Sequence, residues 1–327
     1  MKQFIVIILI ICLSACLLVP LSACTKTADN VIRLSEVTHS IFYAPLYAAI
    51  NLGYIEEEGV TLELTNGGGA DKVMTAVLSG QVDLGFCGPE AVIYVYNEGR
   101  ADYPQVIGQL TRMDGSFIIG RSDEVFDWAT SFRGKEIIGG RKGGVPAMAL
   151  EYCLKKNGYT IGTDVTLNYD VQFDLITAAF EGGVGDYCTM FEPAAATFQA
   201  QGKGYTLASV GKECGEIPYT AFCATKNYLE KNGDKVKAFL RAIGRGVDYV
   251  ATHSVDEVAA AVAPSFAGVD IELIKKAVNN YRAIGAYVTD MRLNQTAFER
   301  LQDVIVEAGV MSKRATYSDV VNLSYLP

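Results

Sequence analysis

The sequence predicts an α/β protein built as two doubly wound lobes joined by short crossovers. Three observations carry that reading. Short strand-patterned runs alternate with helix-patterned runs along most of the chain. Glycine-rich segments stand between a strand and the helix that follows it. The roughly 300 residues beyond an N-terminal leader are too many for one compact core. Strand–helix–strand order implies mainly parallel sheets covered by helices.

The first unit opens with a strand at 31–34 and a helix over 43–51 that ends at Gly53. Val60-Thr61-Leu62-Glu63-Leu64 alternates with period two and reads as a strand. Gly67-Gly68-Gly69 opens a helix over 70–78, and Gly80 stops it. A strand at 82–86 runs through Gly88-Pro89-Glu90 into another helix, with proline in the first turn, where its missing N–H costs nothing. Strands at 105–110 and 117–120 follow. The second unit repeats the plan. Its strands fall at 136–140, 165–168, 185–190 and 205–210, and its helices at 147–157, 173–180 and 193–201. A strand at 221–224 returns to the first lobe. Helices over 235–252, 255–263, 271–284 and 294–308 fill the C-terminal third. The expected division is a first lobe of 31–118 plus 220–327 and a second lobe of 119–219, with crossovers near 115–122 and 215–222.

Residues 1–23 read as a signal peptide. Lys2 supplies a positive start, 4–19 is almost wholly apolar, and Leu21-Ser22-Ala23-Cys24 closes the run as a lipobox. Cleavage before Cys24 leaves its thiol carrying a diacylglyceryl group, with 24–30 as a lipid-anchored tether. A membrane-spanning helix is the alternative, since 4–23 has about the twenty residues a span needs; Pro20 and the small-residue close argue against it. An earlier copy, Leu13-Ser14-Ala15-Cys16, has too short an apolar run before it. The expected location is therefore extracytoplasmic, on a lipid anchor in the cell membrane. The chain carries a net charge of −9, which removal of Lys2 makes one unit more acidic. Such a balance excludes the basic face that nucleic acid requires. Cys87, Cys153, Cys188, Cys214 and Cys223 remain after the leader, an odd number without CxxC spacing, so neither a disulfide framework nor a zinc site is expected. Buried free thiols are the favoured reading, with a Cys214–Cys223 pair left open.

In open α/β sheets, ligands bind beyond the carboxyl ends of strands, against helix N-termini. Four turns qualify: Ser40 to Pro45, Asn66 to Gly69, Cys87 to Glu90, and Arg141 to Gly144. Glycine there lets a ligand approach backbone N–H groups at the positive end of a helix dipole. Each turn alone is more often an ordinary tight connection; four together point to one cleft. Neither Gly67-Gly68-Gly69 nor Gly140-Arg141-Lys142-Gly143-Gly144 has the spacing of a nucleotide-binding motif. His39 and His253 are the only histidines and lie far apart, and no GxSxG or HExxH motif is present. His39 sits at the mouth of the first strand, whereas His253 ends a helix and suits its dipole. Glu192 either accepts from a ligand or caps the helix after it. No catalytic residue, cofactor or metal is expected.

Several segments together resemble a known family. They are THSIFYAPLYAAINLGYI at 38–55, EEEGV at 56–60, VMTAVLSGQVDLGF at 73–86 and MFEP at 190–193. They are similar to the substrate-binding proteins of ABC importers for nitrate, sulfonates, taurine and thiamine precursors. The resemblance covers the whole mature chain. It implies a type II periplasmic-binding-protein fold that closes on a small organic ligand, either a sulfonate-like anion or a nitrogen heterocycle, and presents it to permease subunits. By the same resemblance, ligand contacts come from Ser40, Phe42, Tyr43, Gly68, Gly69, Gly88 and Glu90 in the first lobe. Lys142, Gly143, Phe191 and Glu192 face them from the second, with Arg112, Asp114 and Ser116 near a crossover. The chain departs from two subgroups. Phe42 and Tyr43 stand where pyrimidine binders carry an Asn-His pair, and the cysteine-dense segment of the fungal pyrimidine synthases is missing around Cys188. Trp128, the only tryptophan, falls outside the expected mouth. The alternatives are a pyrimidine-biosynthesis enzyme on the same fold and a ligand-sensing subunit of a membrane signalling complex.

Overall fold

The computed structural model describes residues 30–327; the leader, Cys24 and the tether before residue 30 lie outside the described residues. Ten strands form two five-stranded sheets among them. The first sheet runs β2-β1-β3-β10-β4, from β1 (Val31–Glu36), β2 (Thr61–Asn66), β3 (Leu84–Cys87), β4 (Pro104–Thr111) and β10 (Thr220–Thr225). The second runs β7-β6-β8-β5-β9, from β5 (Phe117–Gly120), β6 (Glu136–Ile138), β7 (Thr166–Asn168), β8 (Tyr187–Met190) and β9 (Tyr205–Ser209). The helices interleaved with the first sheet are α1 (Ala44–Asn51), α2 (Tyr54–Glu57), α3 (Ala70–Leu78) and α4 (Pro89–Asn97). Those of the second are α5 (Val145–Lys156), α6 (Ile176–Glu181), α7 (Ala194–Ala200) and α8 (Val210–Cys214). The C-terminal helices are α9 (Lys226–Thr252), α10 (Val255–Val262), α11 (Ile271–Ala283), α12 (Gln295–Glu307) and α13 (Tyr317–Val320).

The sheets are mixed rather than mainly parallel. β1 pairs parallel with β3, and β6 with β7 and β8. β10 is antiparallel to both β3 and β4, and β5 to both β8 and β9. In each sheet the reversed strand is the one the chain enters after crossing from the other sheet. The long crossovers that keep strands parallel connect strands of one sheet; β5 and β10 arrive from the other sheet and are not bound by them. β5 also straddles the expected boundary at 118/119 and pairs wholly within the second sheet.

The core packs sheet faces against helices. Phe86 on β3 lies opposite Phe222 on β10, and the rings stack at 4.4 Å, a contact worth about 0.5–1.5 kcal/mol beyond the area it buries. α9 starts at Lys226, well before the expected 235, because Thr225 caps it by accepting from the Tyr228 N–H at 3.3 Å. Asn232 interrupts the helix with φ −125° and ψ 22°, immediately before Gly233. The segment expected as one helix at 173–180 divides into a 3-10 turn, Phe173–Leu175, and α6. Among the described residues no helix is long and apolar enough to cross a membrane.

All five cysteines among the described residues are free and buried. Cys214 and Cys223 do not pair. Cys223 stands on β10 beside Cys87, and Cys214 ends α8 beside Cys153 of α5.

Candidate functional site

The carboxyl ends of β1, β3 and β6 and the N-termini of α3, α4 and α5 converge between the two sheets. Two adjoining cavities of about 40 Å³ each lie there and share Val37, Ala70, Glu90, Pro146 and Phe173 in their walls. One also reaches Gly69, Gly140, Arg141 and Gly144; the other reaches Tyr43, Gly88, Phe191, Tyr219 and Thr220. A recess of about 120 Å³ outside them is lined by Thr38, His39, Ser40, Asp174, Phe191 and Glu192. A cavity of 40 Å³ admits only a few waters, so an organic molecule enters only if the two sheets move apart.

Glu90 holds the most unusual position. It is 1 % exposed at the start of α4, and its Oε2 has no hydrogen-bond partner. Burial raises its carboxyl to about 7, against smaller opposing contributions from backbone N–H groups and from Arg141. Gly88 makes the placement possible, since a Cβ there would stand 1.9 Å from a Glu90 carboxylate oxygen. Arg141 faces the same cavity and is held at its mouth by Asp71 of α3, Nε to Oδ1 at 3.0 Å. A second ion pair of opposite sense, Lys72 to Asp174 at 3.7 Å, lies next to it. Gly68, with φ 70°, sits within van der Waals reach of that pair.

The structure separates the remaining expected residues into two groups. Tyr43, Gly69, Gly88, Glu90 and Phe191 line the cavities, and Ser40 and Glu192 border the outer recess. Lys142 is exposed, and its neighbour Arg141 takes the place expected for it. Gly143 contributes its carbonyl to the Tyr94 hydroxyl at 3.0 Å. Phe42 is fully buried behind the cleft, its ring 5.0 Å from Tyr281 and 5.5 Å from Phe191 and Tyr219, so it supports the wall rather than forming it. Arg112 donates to the Gly285 carbonyl at 3.1 Å, while Asp114 and Ser116 are buried within the crossover.

Glu192 is already bonded on both carboxylate oxygens. Oε1 accepts from Asn280 Nδ2 and Oε2 from the Ala196 N–H, each at 2.8 Å, which makes it the cap of α7. The Ser40 hydroxyl donates to the Glu192 carbonyl and accepts from the Phe42 N–H, so it links β1 to β8 across the cleft. His39 is fixed within the first lobe. Its Nδ1 lies 2.9 Å from Glu36 Oε1 and its Nε2 2.7 Å from the Ser265 carbonyl, and Glu36 holds its pKa above the usual value. His253 stacks on Tyr249 at the end of α9, and Trp128 packs against Phe126 and Phe132. Among the described residues no cluster of three or more His, Cys, Asp or Glu side chains is arranged to hold a metal.

Arg141, Phe173 and Tyr219 escaped the reading of the sequence. Arg141 was inside a turn already singled out. Phe173 follows a strand, and Tyr219 falls in a named crossover, so the rule that ligands sit beyond strand ends would have reached both.

With this geometry in hand, known proteins are informative. The family described as NMT1/THI5 like matches residues 41–256. YtlA of Bacillus subtilis (strain 168), whose name describes a binding protein without naming a ligand, is 38% identical over 308 residues, covering 94% of this chain and 92% of the relative. A 4-amino-5-hydroxymethyl-2-methylpyrimidine phosphate synthase of Aspergillus parasiticus is 25% identical over 235 residues, 68% of this chain and 67% of that one. Among solved structures, the alkanesulfonate-binding protein SsuA of Xanthomonas axonopodis pv. citri bound to MOPS superposes with a TM-score of 0.73 at 17% identity, covering 89% of this chain and 98% of that one. The periplasmic nitrate-binding protein NrtA of Synechocystis PCC 6803 gives 0.67 at 15% identity, covering 90% and 87%. Both likenesses concern the fold, which is that of the periplasmic binding proteins.

Proposed function

The chain belongs to the NMT1/THI5-like family, and from that premise we propose that it is an extracytoplasmic solute-binding protein. It captures a small organic ligand between its two lobes and delivers it to an ABC importer. The observation that carries the reading is the Glu90 carboxylate, buried with one oxygen unpartnered in a cavity walled by Tyr43, Phe173, Phe191 and Tyr219. A buried acceptor without a donor costs about 1–3 kcal/mol, and a ligand N–H recovers it. Aromatic walls suit a planar body, and a bare inorganic ion leaves them without a role. Arg141, already paired with Asp71, favours a ligand that offers an acceptor over one that brings a full anionic charge against Glu90. Of the two ligand classes expected, a nitrogen heterocycle therefore fits better than a sulfonate.

The catalytic alternative has the fungal synthase similarity on its side, and the 38% identity to a protein named for binding weighs against it. A thermal-shift screen over sulfonates, nitrate, pyrimidines, flavins and aromatic acids tests the proposal. A ligand at a hundred times its Kd adds about 2.7 kcal/mol of stability. A heterocycle with N–H donors is expected to raise Tm in the parent but much less in Glu90→Gln. Ligand extracted after incubation should have an unchanged mass. Stabilisation by a sulfonate that survives Glu90→Gln refutes the ligand class, and a changed mass refutes the binding role.

A further inference from the structure

The chain passes between the sheets twice, once from β4 to β5 and once from α8 to β10, and the two passages are strapped together. The Ile217 N–H donates to the Arg112 carbonyl at 3.1 Å, Tyr219 to Thr111 at 3.0 Å, and Val210 to Ser116 at 3.1 Å. Asp114 lies between them, fully buried. Its Oδ1 accepts from the Ser116 N–H at 2.7 Å and from the Ser116 hydroxyl at 2.5 Å. Its Oδ2 has no hydrogen bond, and neither has the Tyr219 hydroxyl that faces it. α8 presses on the same residue: a Cβ on Gly211 would stand 2.2 Å from the Asp114 carbonyl oxygen.

Tyr219 connects this spot to the cleft. Its ring packs on Phe42 at 5.5 Å and on Phe191 at 6.2 Å, one from each lobe, and it shares a cavity wall with Glu90. The groups facing Asp114 are Ser116 on its own segment, Tyr219 on the return passage and Cys153 on α5; Tyr43 and Glu90 act on Tyr219 from the first lobe. None of these is a cation.

We infer that Asp114 is a positioning residue of the hinge: its free carboxylate oxygen and the Tyr219 hydroxyl form an unclosed pair that sets how far the lobes close over the cleft. A charge on Asp114 is unfavourable in the present arrangement, where Oδ2 has neither water nor a donor. Separation of the lobes turns Tyr219 toward Oδ2 or admits water to it, so the ionised form favours the open arrangement. Burial raises the Asp114 carboxyl to about 6 here. The closed arrangement therefore holds the proton more tightly than the open one. Closure is greatest below the ordinary aspartate value of 3.8 and is lost as the pH rises from there through 6.

Small-angle scattering on the full chain without ligand, between about pH 4 and pH 8, tests this. Because no ligand is involved, failure leaves the solute-binding reading standing. The radius of gyration of the parent is expected to increase between about pH 4 and pH 6. Asp114→Asn should lose the step that ends near pH 6, and Glu90→Gln, which removes another buried carboxyl, should keep it. Tyr219→Phe should move the step to higher pH, because in the open arrangement the hydroxyl donates to the ionised carboxylate; this variant decides the matter if Asp114→Asn does not fold. A flat parent, a step unaltered in Asp114→Asn or Tyr219→Phe, or a step lost in Glu90→Gln would each overturn the inference.

Discussion

Burial of Glu90 has a consequence for stability as well as for binding. Its carboxyl stands at about 7 in the folded chain, above an ordinary value of 4.5. The folded state thus holds this proton more tightly than the unfolded state. The stabilisation is complete below about pH 4.5 and is lost as the pH rises through 7. Its size is on the order of 3 kcal/mol. Glu90→Gln should remove that slope, so urea unfolding of parent and variant at pH 5 and pH 8 should show the variant gaining by a few kcal/mol at the higher pH. An equal gap at both values contradicts the assignment. At this scale the sequence was legible in position but not in direction. It located the turn at 141–144 yet favoured Lys142 over Arg141. Gly140 at φ 92° and Gly143 at φ 82° steer the chain there, and dihedral angles of that kind leave no trace in a residue pattern. For Glu192 the pattern left a ligand role and a capping role open, and the structure supplies the capping partner, the Ala196 N–H.

Among the elements, α3 is the one that touches both lobes most directly by charge. Its first turn offers Asp71 to Arg141 and Lys72 to Asp174, two pairs of opposite sense on consecutive residues. These side chains are largely solvated, so each pair is worth about 0.2–1 kcal/mol and weakens with salt. A double-mutant cycle with Asp71→Asn and Arg141→Gln should give a coupling below about 1 kcal/mol in dilute buffer that disappears near 1 M salt. Coupling that persists in high salt would mean a buried pair. α3 was also read correctly at both ends, because Gly69 and Gly80 punctuate it. The four- and five-residue helices α2, α8 and α13 were missed, since one turn is too short for a period to show. Strand direction was missed for a different reason: alternation along β5 or β10 is the same whichever way the strand runs.

For the whole molecule, the division into two sheets was legible because strand and helix patterns recur on one plan. The route between them was legible to within a few residues: the chain passes at 112–116 and 215–219, beside the crossovers expected near 115–122 and 215–222. We propose membrane attachment through Cys24 as part of the same role, since a receptor tethered beside its permease releases solute where it is used. Cells fed a palmitate analogue should label the parent chain and not Cys24→Ala. Label that persists in the variant would point to an uncleaved leader or to another acylated cysteine.

The placing of β10 imposes an order on assembly. It lies between β3 and β4, and those two strands reach each other only through it. A chain that emerges from its N-terminus therefore completes every strand of the second sheet before the first sheet receives β10. Until Thr220–Thr225 arrives, β4 is a loose edge and Phe86 lacks the ring that will stack on it. The second lobe, contiguous in sequence, can fold as it is delivered; the first must wait for its own tail. The same interleaving makes proteolysis between the two sheets costly, since a single cut in the return passage separates β10 from the chain that leads to it while leaving it wedged in place.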